Sequence, residues 1–284
     1  MRDQRRVHFD VGGGLTIVGD AYGPADAPGV ILLHGGGQTR HAWGGTAAAL
    51  GAAGRHAVSC DLRGHGDSGW DPEADYSVDA FARDLCAVAR TFPRKPAVVG
   101  ASLGGLATLI AQGEQAPIAS AVVLVDIAPR TDPGGVQRII SFMTANPDGF
   151  ASLDEAADAI AGYMPHRPRP RDLSGLSKNL RRGADGRWRW HWDPRFISSG
   201  RRPTATQDPE RLERALVALG VPTLLVRGRA SDVVSEENAQ AFLRVRPDAR
   251  YVDVSGAGHM VAGDRNDAFT DAVVRFLDEV DPLR

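Results

Sequence analysis

The stretch Lys95–Ala111, KPAVVGASLGGLATLIA, decides how the chain is read. A β-branched apolar run ends, one hydroxyl stands among small residues, and an apolar pattern of helical spacing begins at once. Gly100, Ser102 and Gly104 form G-x-S-x-G, the pattern of a nucleophile elbow. Glycines two before and two after the serine remove side chains that would clash in so sharp a corner. They leave the hydroxyl exposed at the head of the following helix. Small residues at such a corner also serve close packing alone, so the rest of the chain must decide.

Outward from this corner the same grammar repeats. VHFDV and LTIVGDAY flank Gly12–Gly14 and read as an antiparallel hairpin. VILLH (30–34), HAVSCD (56–61), PAVVGA (96–101), AVVLVD (121–126), PTLLVRG (222–228) and RYVDVSG (250–256) are short and apolar on both faces, as buried parallel strands are. Between them lie helical patterns: Val78, Phe81, Leu85, Val88 and Phe92, then Phe269, Val273, Phe276, Leu277 and Val280. This alternation predicts an α/β fold, a mostly parallel, doubly wound sheet with helices on both faces. It breaks over 130–209, which is rich in proline, arginine and tryptophan and too long for an ordinary connection. The reading is a core of 1–129 and 210–284 with an inserted cap at 130–209.

Ligands of such sheets sit at the carboxyl ends of the strands, and that is where the polar residues gather. Ser102 follows PAVVGA, Asp126 follows AVVLV, Asp232 lies just past TLLV in RGRASDVV, and His259 lies past YVDV in GAGHM. A free serine is a poor nucleophile and needs a base. His259 can supply it, and an acid must hold the imidazole in the right tautomer. Asp232 is the preferred acid. The developing oxyanion needs fixed donors. The backbone N–H of Leu103 is one, and Gly36, with Gly37 as fallback, supplies the other from the glycine loop after VILLH.

Bulk properties exclude several other classes. A chain of 284 residues with 43% hydrophobic residues can bury a large core, and a net charge of −2 gives no pull toward nucleic acid or anionic membrane. The N-terminus has no signal-peptide pattern, and no apolar run reaches the roughly 18 residues of a membrane span. Cys60 and Cys86 form no ligand set or disulfide framework and read as buried, reduced thiols of a cytoplasmic protein. His8, His41, His56, His166 and His191 lack ligand spacing, so no metal is expected. Gly35–Gly37 lacks the G-x-G-x-x-G spacing of a nucleotide site. No cofactor is implied, and the partner expected is a small-molecule substrate; the oligomeric state is left open.

Taken together, LLHGGG, DLRGHGDS, VVGASLGG, RGRASDVV and GAGHM resemble the α/β-hydrolase superfamily in its capped bacterial branch, over nearly the whole chain. The resemblance implies a Ser102–His259–Asp232 triad, in the family's chain order. It also keeps Asp126 open as a rival acid, because some members take the acid from the end of that strand; otherwise Asp126 caps the loop into the insertion. Arg63, His65 and Ser68 of DLRGHGDS would brace loops, and His34 would make a structural hydrogen bond. Trp188, Trp190 and Trp192, at strand spacing, read equally as cap core and as an apolar wall over the substrate. The ten arginines and Lys178 between His166 and Arg202 read as a solvated surface, or as one or two anchors for a substrate carboxylate.

A serine at the nucleophile position excludes the branches that use aspartate there. The expected reaction is hydrolysis of a carboxylic ester or lactone of a small, partly apolar substrate, rising with pH through a pKa near the imidazole reference of ~6.5. Carbon–carbon bond hydrolysis of ring-cleavage products and perhydrolase (cofactor-free haloperoxidase-like) activity are the enzymatic alternatives. A small-molecule receptor on a hydrolase fold is the alternative outside catalysis.

Overall fold

The computed structural model describes residues 4–165, 169, 171–198, 208–261 and 266–283. Eight strands form one sheet: β1 (Arg5–Asp10), β2 (Thr16–Tyr22), β3 (Gly29–Leu33), β4 (His56–Cys60), β5 (Ala97–Ala101), β6 (Val122–Val125), β9 (Thr223–Gly228) and β10 (Arg250–Val254). A separate pair, β7 (Leu180–Arg182) and β8 (Trp188–Trp190), lies between β6 and β9 in the chain. The order across the sheet is β1-β2-β4-β3-β5-β6-β9-β10. β1 and β2 form an antiparallel hairpin, β2 pairs antiparallel with β4, and every other pair is parallel. The hairpin turns through Gly12, Gly13 and Gly14, all at positive φ, which glycine adopts without steric cost.

The continuous apolar runs follow from two cores, one on each face. Ile31, Leu33, Val98 and Leu124 point to one face, against the helices Val78–Ala89 and Leu103–Ile110. Val30, Leu32, Val99 and Val123 point to the other, against Gly44–Ala52 and Asn266–Val280. Side chains alternate along a strand, so a strand covered on both sides must be apolar at every position. Cys60 and Cys86 are buried and unpaired.

Between β6 and the helix Pro209–Ala218 the chain leaves the sheet. It forms the helices Pro133–Thr144 and Leu153–Tyr163, the β7–β8 pair and a short helix Arg195–Ser198. The two longer helices start on Asp132 and Ser152, whose side chains accept backbone N–H groups of the first turn. Phe150, Ala156 and Leu180 give the segment a small core of its own. His166, Arg167, Arg201 and Arg202 lie outside the described residues. No helix among the described residues is long and apolar enough to cross a membrane.

The chain runs from β3 to β4 on one side and then to β5 on the other, so the sheet reverses direction beside β3. The loops after β3 and β5 diverge there, at the switch point where α/β sheets bind ligands.

Candidate active site

Ser102 occupies the corner between β5 and the helix Leu103–Ile110 at φ 45°, ψ −110°, a left-handed conformation that costs a non-glycine residue roughly 1–3 kcal/mol. Surrounding contacts hold it there. The Ser102 N–H donates to Val125 O at 3.1 Å, tying the corner to the next strand. The flanking glycines permit the close approach. A Cβ on Gly100 would stand 2.5 Å from Gly104 O, and one on Gly104 would stand 2.5 Å from Leu33 O.

At the end of the neighbouring strand, Asp126 is also left-handed, at φ 48°, with its N–H donating to Val226 O at 2.7 Å. Its fully buried carboxylate is held at both oxygens. Oδ1 accepts the Gly228 N–H at 3.0 Å, and Oδ2 accepts the Ser231 hydroxyl and His259 Nδ1, the latter at 2.7 Å. The carboxylate that meets His259 is thus Asp126, not the expected Asp232. Asp232 does not meet His259; its side chain is 43% exposed and pairs with Arg138 on the helix Pro133–Thr144, Nε to Oδ2 3.0 Å. Asp232 stands four residues beyond β9, and the turn that carries it gives its inward place to Ser231. The Ser231 hydroxyl donates to Asp126 while accepting the Val233 and Val234 N–H groups at 3.1 Å.

The glycine loop after β3 lies against the elbow: a Cβ on Gly35 would be 3.3 Å from Ser102 Cβ. Its N–H groups are unequal. Gly35 donates to Gln38 Oε1 at 3.1 Å and Gly37 to His65 Nε2 at 3.1 Å. Gly104, after the elbow, donates to His34 O at 3.2 Å. The N–H groups of Gly36 and Leu103 have no protein acceptor among the described residues. The N–H of Gly37, the fallback donor, is already taken by His65.

Three buried histidines surround this loop. His34 Nε2 accepts the Leu62 N–H at 3.0 Å, so its Nδ1–H donates to Gly35 O at 2.8 Å. His65 Nε2 accepts from Gly37, so its Nδ1–H donates to Arg63 O at 2.9 Å. His191, from the inserted segment, accepts the Gly66 N–H at Nδ1 (2.7 Å) and donates from Nε2 to Gly37 O at 3.3 Å. Burial pushes His34 down to about 4, His65 to about 3, and His191 well below its ordinary value. All six ring nitrogens are engaged by backbone, so the trio is not a ligand set, and no metal-binding cluster occurs among the described residues. The rest of DLRGHGDS braces loops: Arg63 makes a twofold pair with Asp84 at 2.6 Å, and Ser68 bonds Asp61 O at 2.7 Å.

Ser102 and His259 open on one cavity of about 550 Å³, with Gly35–Gly37 and Leu103 at its base. Val136, Ile139, Phe142, Met143 and Ile160 form an apolar wall from the inserted helices. Trp190 and Trp192 line it too, stacked at 5.0 Å and 11°. Trp188 does not line the cavity. Two residues back on β8, it pairs through its backbone with Phe150 and lies beneath the Arg182 guanidinium. Arg169, the arginine that lines the cavity among the described residues, is paired with Asp154 and Asp158 and so is not a free carboxylate anchor. Lys178, also lining the cavity, has no ionic partner among the described residues.

Residues 30–272 match the alpha/beta hydrolase family, and the chain is 33% identical over 260 residues to an esterase of Mycobacterium tuberculosis, covering 89% of this chain and 83% of that protein. The chain belongs to the alpha/beta hydrolase family. A second relative of this hydrolase is the 2-(acetamidomethylene)succinate hydrolase of Mesorhizobium japonicum, 29% identical over 226 residues and 78% of each chain. The solved structure of an E-2-(acetamidomethylene)succinate hydrolase superposes with a TM-score of 0.84 at 23% identity, over 97% of this chain and 100% of that one, a likeness of fold. A structure of the mycobacterial esterase superposes with a TM-score of 0.75 at 28% identity, over 98% and 92%.

Proposed function

We propose that this hydrolase cleaves carboxylic esters of small, largely apolar acids through Ser102, His259 and Asp126. The observation that carries the reading is the 2.7 Å contact of His259 Nδ1 with the fully buried Asp126, on the cavity that also holds Ser102. With Nδ1–H donated to Asp126, Nε2 is the nitrogen left to take a proton. Ser102 Oγ attacks the ester carbonyl as its proton passes to His259 Nε2, and the imidazolium formed is stabilised by Asp126. The carbonyl oxygen becomes an oxyanion between the N–H groups of Gly36 and Leu103. His259 returns the proton to the departing alkoxide, leaving Ser102 acylated. Water then gives a proton to the same nitrogen as it attacks the acyl carbon, and collapse of the second intermediate releases the acid while His259 Nε2 returns that proton to Ser102 Oγ. The apolar wall suits an aliphatic or aromatic acyl group, and kinship with a named esterase supports an ester as the bond cleaved.

A fluorophosphonate probe and a panel of p-nitrophenyl esters of increasing chain length test this reading. The wild-type protein should label at Ser102 and hydrolyse esters, and Ser102→Ala should lose on the order of 10⁴–10⁶ in kcat. Folded protein that neither labels nor turns over any ester would overturn the reading. Faster cleavage of dienone acids than of any ester would move it to carbon–carbon hydrolysis.

A further inference from the structure

Three consecutive peptide planes of the glycine loop are each held by one histidine. His34 holds the Gly35–Gly36 plane through Gly35 O, and His65 holds the Gly36–Gly37 plane through the Gly37 N–H. His191 holds the Gly37–Gln38 plane through Gly37 O. A trans peptide points its C=O and N–H in opposite directions. Fixing Gly35 O toward His34 therefore fixes the Gly36 N–H on the other side of the plane. The first two clamps come from the core, from the end of β3 and the loop after β4. The third comes from the inserted segment, immediately after β8.

We propose that His191 is a positioning residue for the oxyanion hole: it couples the seating of the inserted segment to the far end of the glycine loop that carries the Gly36 N–H, whose own plane His34 holds. The proposal rests on the assignment of Gly36 and Leu103 as the oxyanion donors. His191 is not free to move on its own. Its N–H donates to Asn179 O at 3.1 Å, its ring meets Trp192 edge-on at 5.3 Å, and His65 lies 5.8 Å away. Two residues on, the Asp193 N–H donates to Gly64 O at 2.9 Å, and Asp193 accepts the Tyr76 hydroxyl at 2.6 Å. The insertion is thus fastened to the core beside the loop that His191 clamps. Gly37 itself is left-handed at φ 74°, and a Cβ there would stand 3.0 Å from Met143 Cε, also from the insertion. This loop has the insertion on one side and the core on the other, and its last plane is held by the insertion.

The two bonds of His191 can be separated by substitution. In His191→Asn the amide oxygen can take the place of Nδ1 and accept from Gly66, but the side chain is too short to reach Gly37 O. In His191→Gln the amide nitrogen can take the place of Nε2 and donate to Gly37 O. His191→Ala loses both. A positioning role predicts that Asn and Ala lower kcat on a p-nitrophenyl ester about 10-fold with KM changed less than about 3-fold. This is milder than the ~10²–10³ of deleting an oxyanion donor, because the donor stays and only its aim loosens. Both should weaken a trifluoromethyl ketone, which forms the same tetrahedral oxyanion, by a similar factor, and Gln should recover most of each loss. If Asn matches wild type, or if Gln falls as far as Asn while Tm falls in step, His191 merely holds the Gly66 loop and the proposal fails. An inactive wild-type protein would instead indict the hydrolase mechanism itself.

Discussion

Asp126 and Asp232 carry the same side chain, yet their surroundings give them opposite fates. Asp126 is fully buried and satisfied by a backbone N–H, a hydroxyl and an imidazole, whereas Asp232 faces solvent and an exposed arginine. An exposed ion pair contributes roughly 0–1 kcal/mol. Asp232→Asn should therefore leave kcat within about 3-fold of wild type. Asp126→Asn keeps the shape but puts an amide where His259 needs a carboxylate, and kcat should fall by about 10⁴. Ester hydrolysis by the two purified variants decides between them; a larger loss in Asp232→Asn would reverse the assignment. The sequence reading preferred Asp232, although chain order alone does not choose, because either aspartate lies between Ser102 and His259. A cue was present all the same: AVVLVD ends its strand directly on the acid, next to the strand that ends on Ser102. Asp232 stands four residues past its strand, with a serine before it able to turn inward instead. The histidine contacts were beyond reach for another reason. His34, His65 and His191 are brought together only by tertiary structure, and nothing in their spacing announces it.

The sheet strands and the flanking helices were legible, because two-sided burial writes itself as unbroken apolar runs and one-sided burial as helical spacing. The elbow was legible for a steric reason that can be tested on the element itself. The helix Leu103–Ile110 approaches β3 so closely that a methyl group on Gly104 would meet both the oxygen and the Cβ of Leu33, at 2.5 and 2.6 Å. Neither atom can yield without moving the sheet or the helix. Gly104→Ala should destabilise the protein by at least about 2 kcal/mol in urea unfolding, at the upper part of the usual overpacking cost. Gly44→Ala is the matched control. It begins the helix Gly44–Ala52 at φ −55°, ψ −40°, with open space around its would-be Cβ, and should be neutral or stabilising by roughly 0.4–1 kcal/mol. Equal losses at the two sites would refute close helix–strand approach as the reason for the elbow glycines. The inserted segment was least legible. Its β7–β8 pair is three residues a strand, and its tryptophans share two tasks: Trp188 and Trp190 pack on the segment's own small core, and Trp190 and Trp192 reach the cavity.

Across the whole molecule, the buried histidines make the union of core and insertion sensitive to acid. Each ring has one nitrogen accepting an N–H and the other donating to a carbonyl. Protonation would set a new N–H against an existing one, in a site that burial already makes hostile to charge. His34 and His65 are held down to about 4 and about 3, against ~6.5 for an exposed imidazole. Between those limits the unfolded chain binds protons that the folded one refuses, so stability is complete above about pH 6.5 and is lost as pH falls. For His34 the span from ~6.5 to about 4 corresponds to roughly 3 kcal/mol, a large share of the ~5–15 kcal/mol that holds a typical domain together. Urea midpoints should be level from about pH 8 to 7 and then fall continuously toward pH 4.5, starting well above the range where carboxylates titrate. The decline should come with loosening of the glycine loop, seen as faster amide exchange at Gly37, whose N–H ends on His65 and whose carbonyl meets His191. A midpoint that stays flat down to pH 5 would mean that these histidines do not titrate on unfolding, and that the junction of core and insertion is not acid-labile.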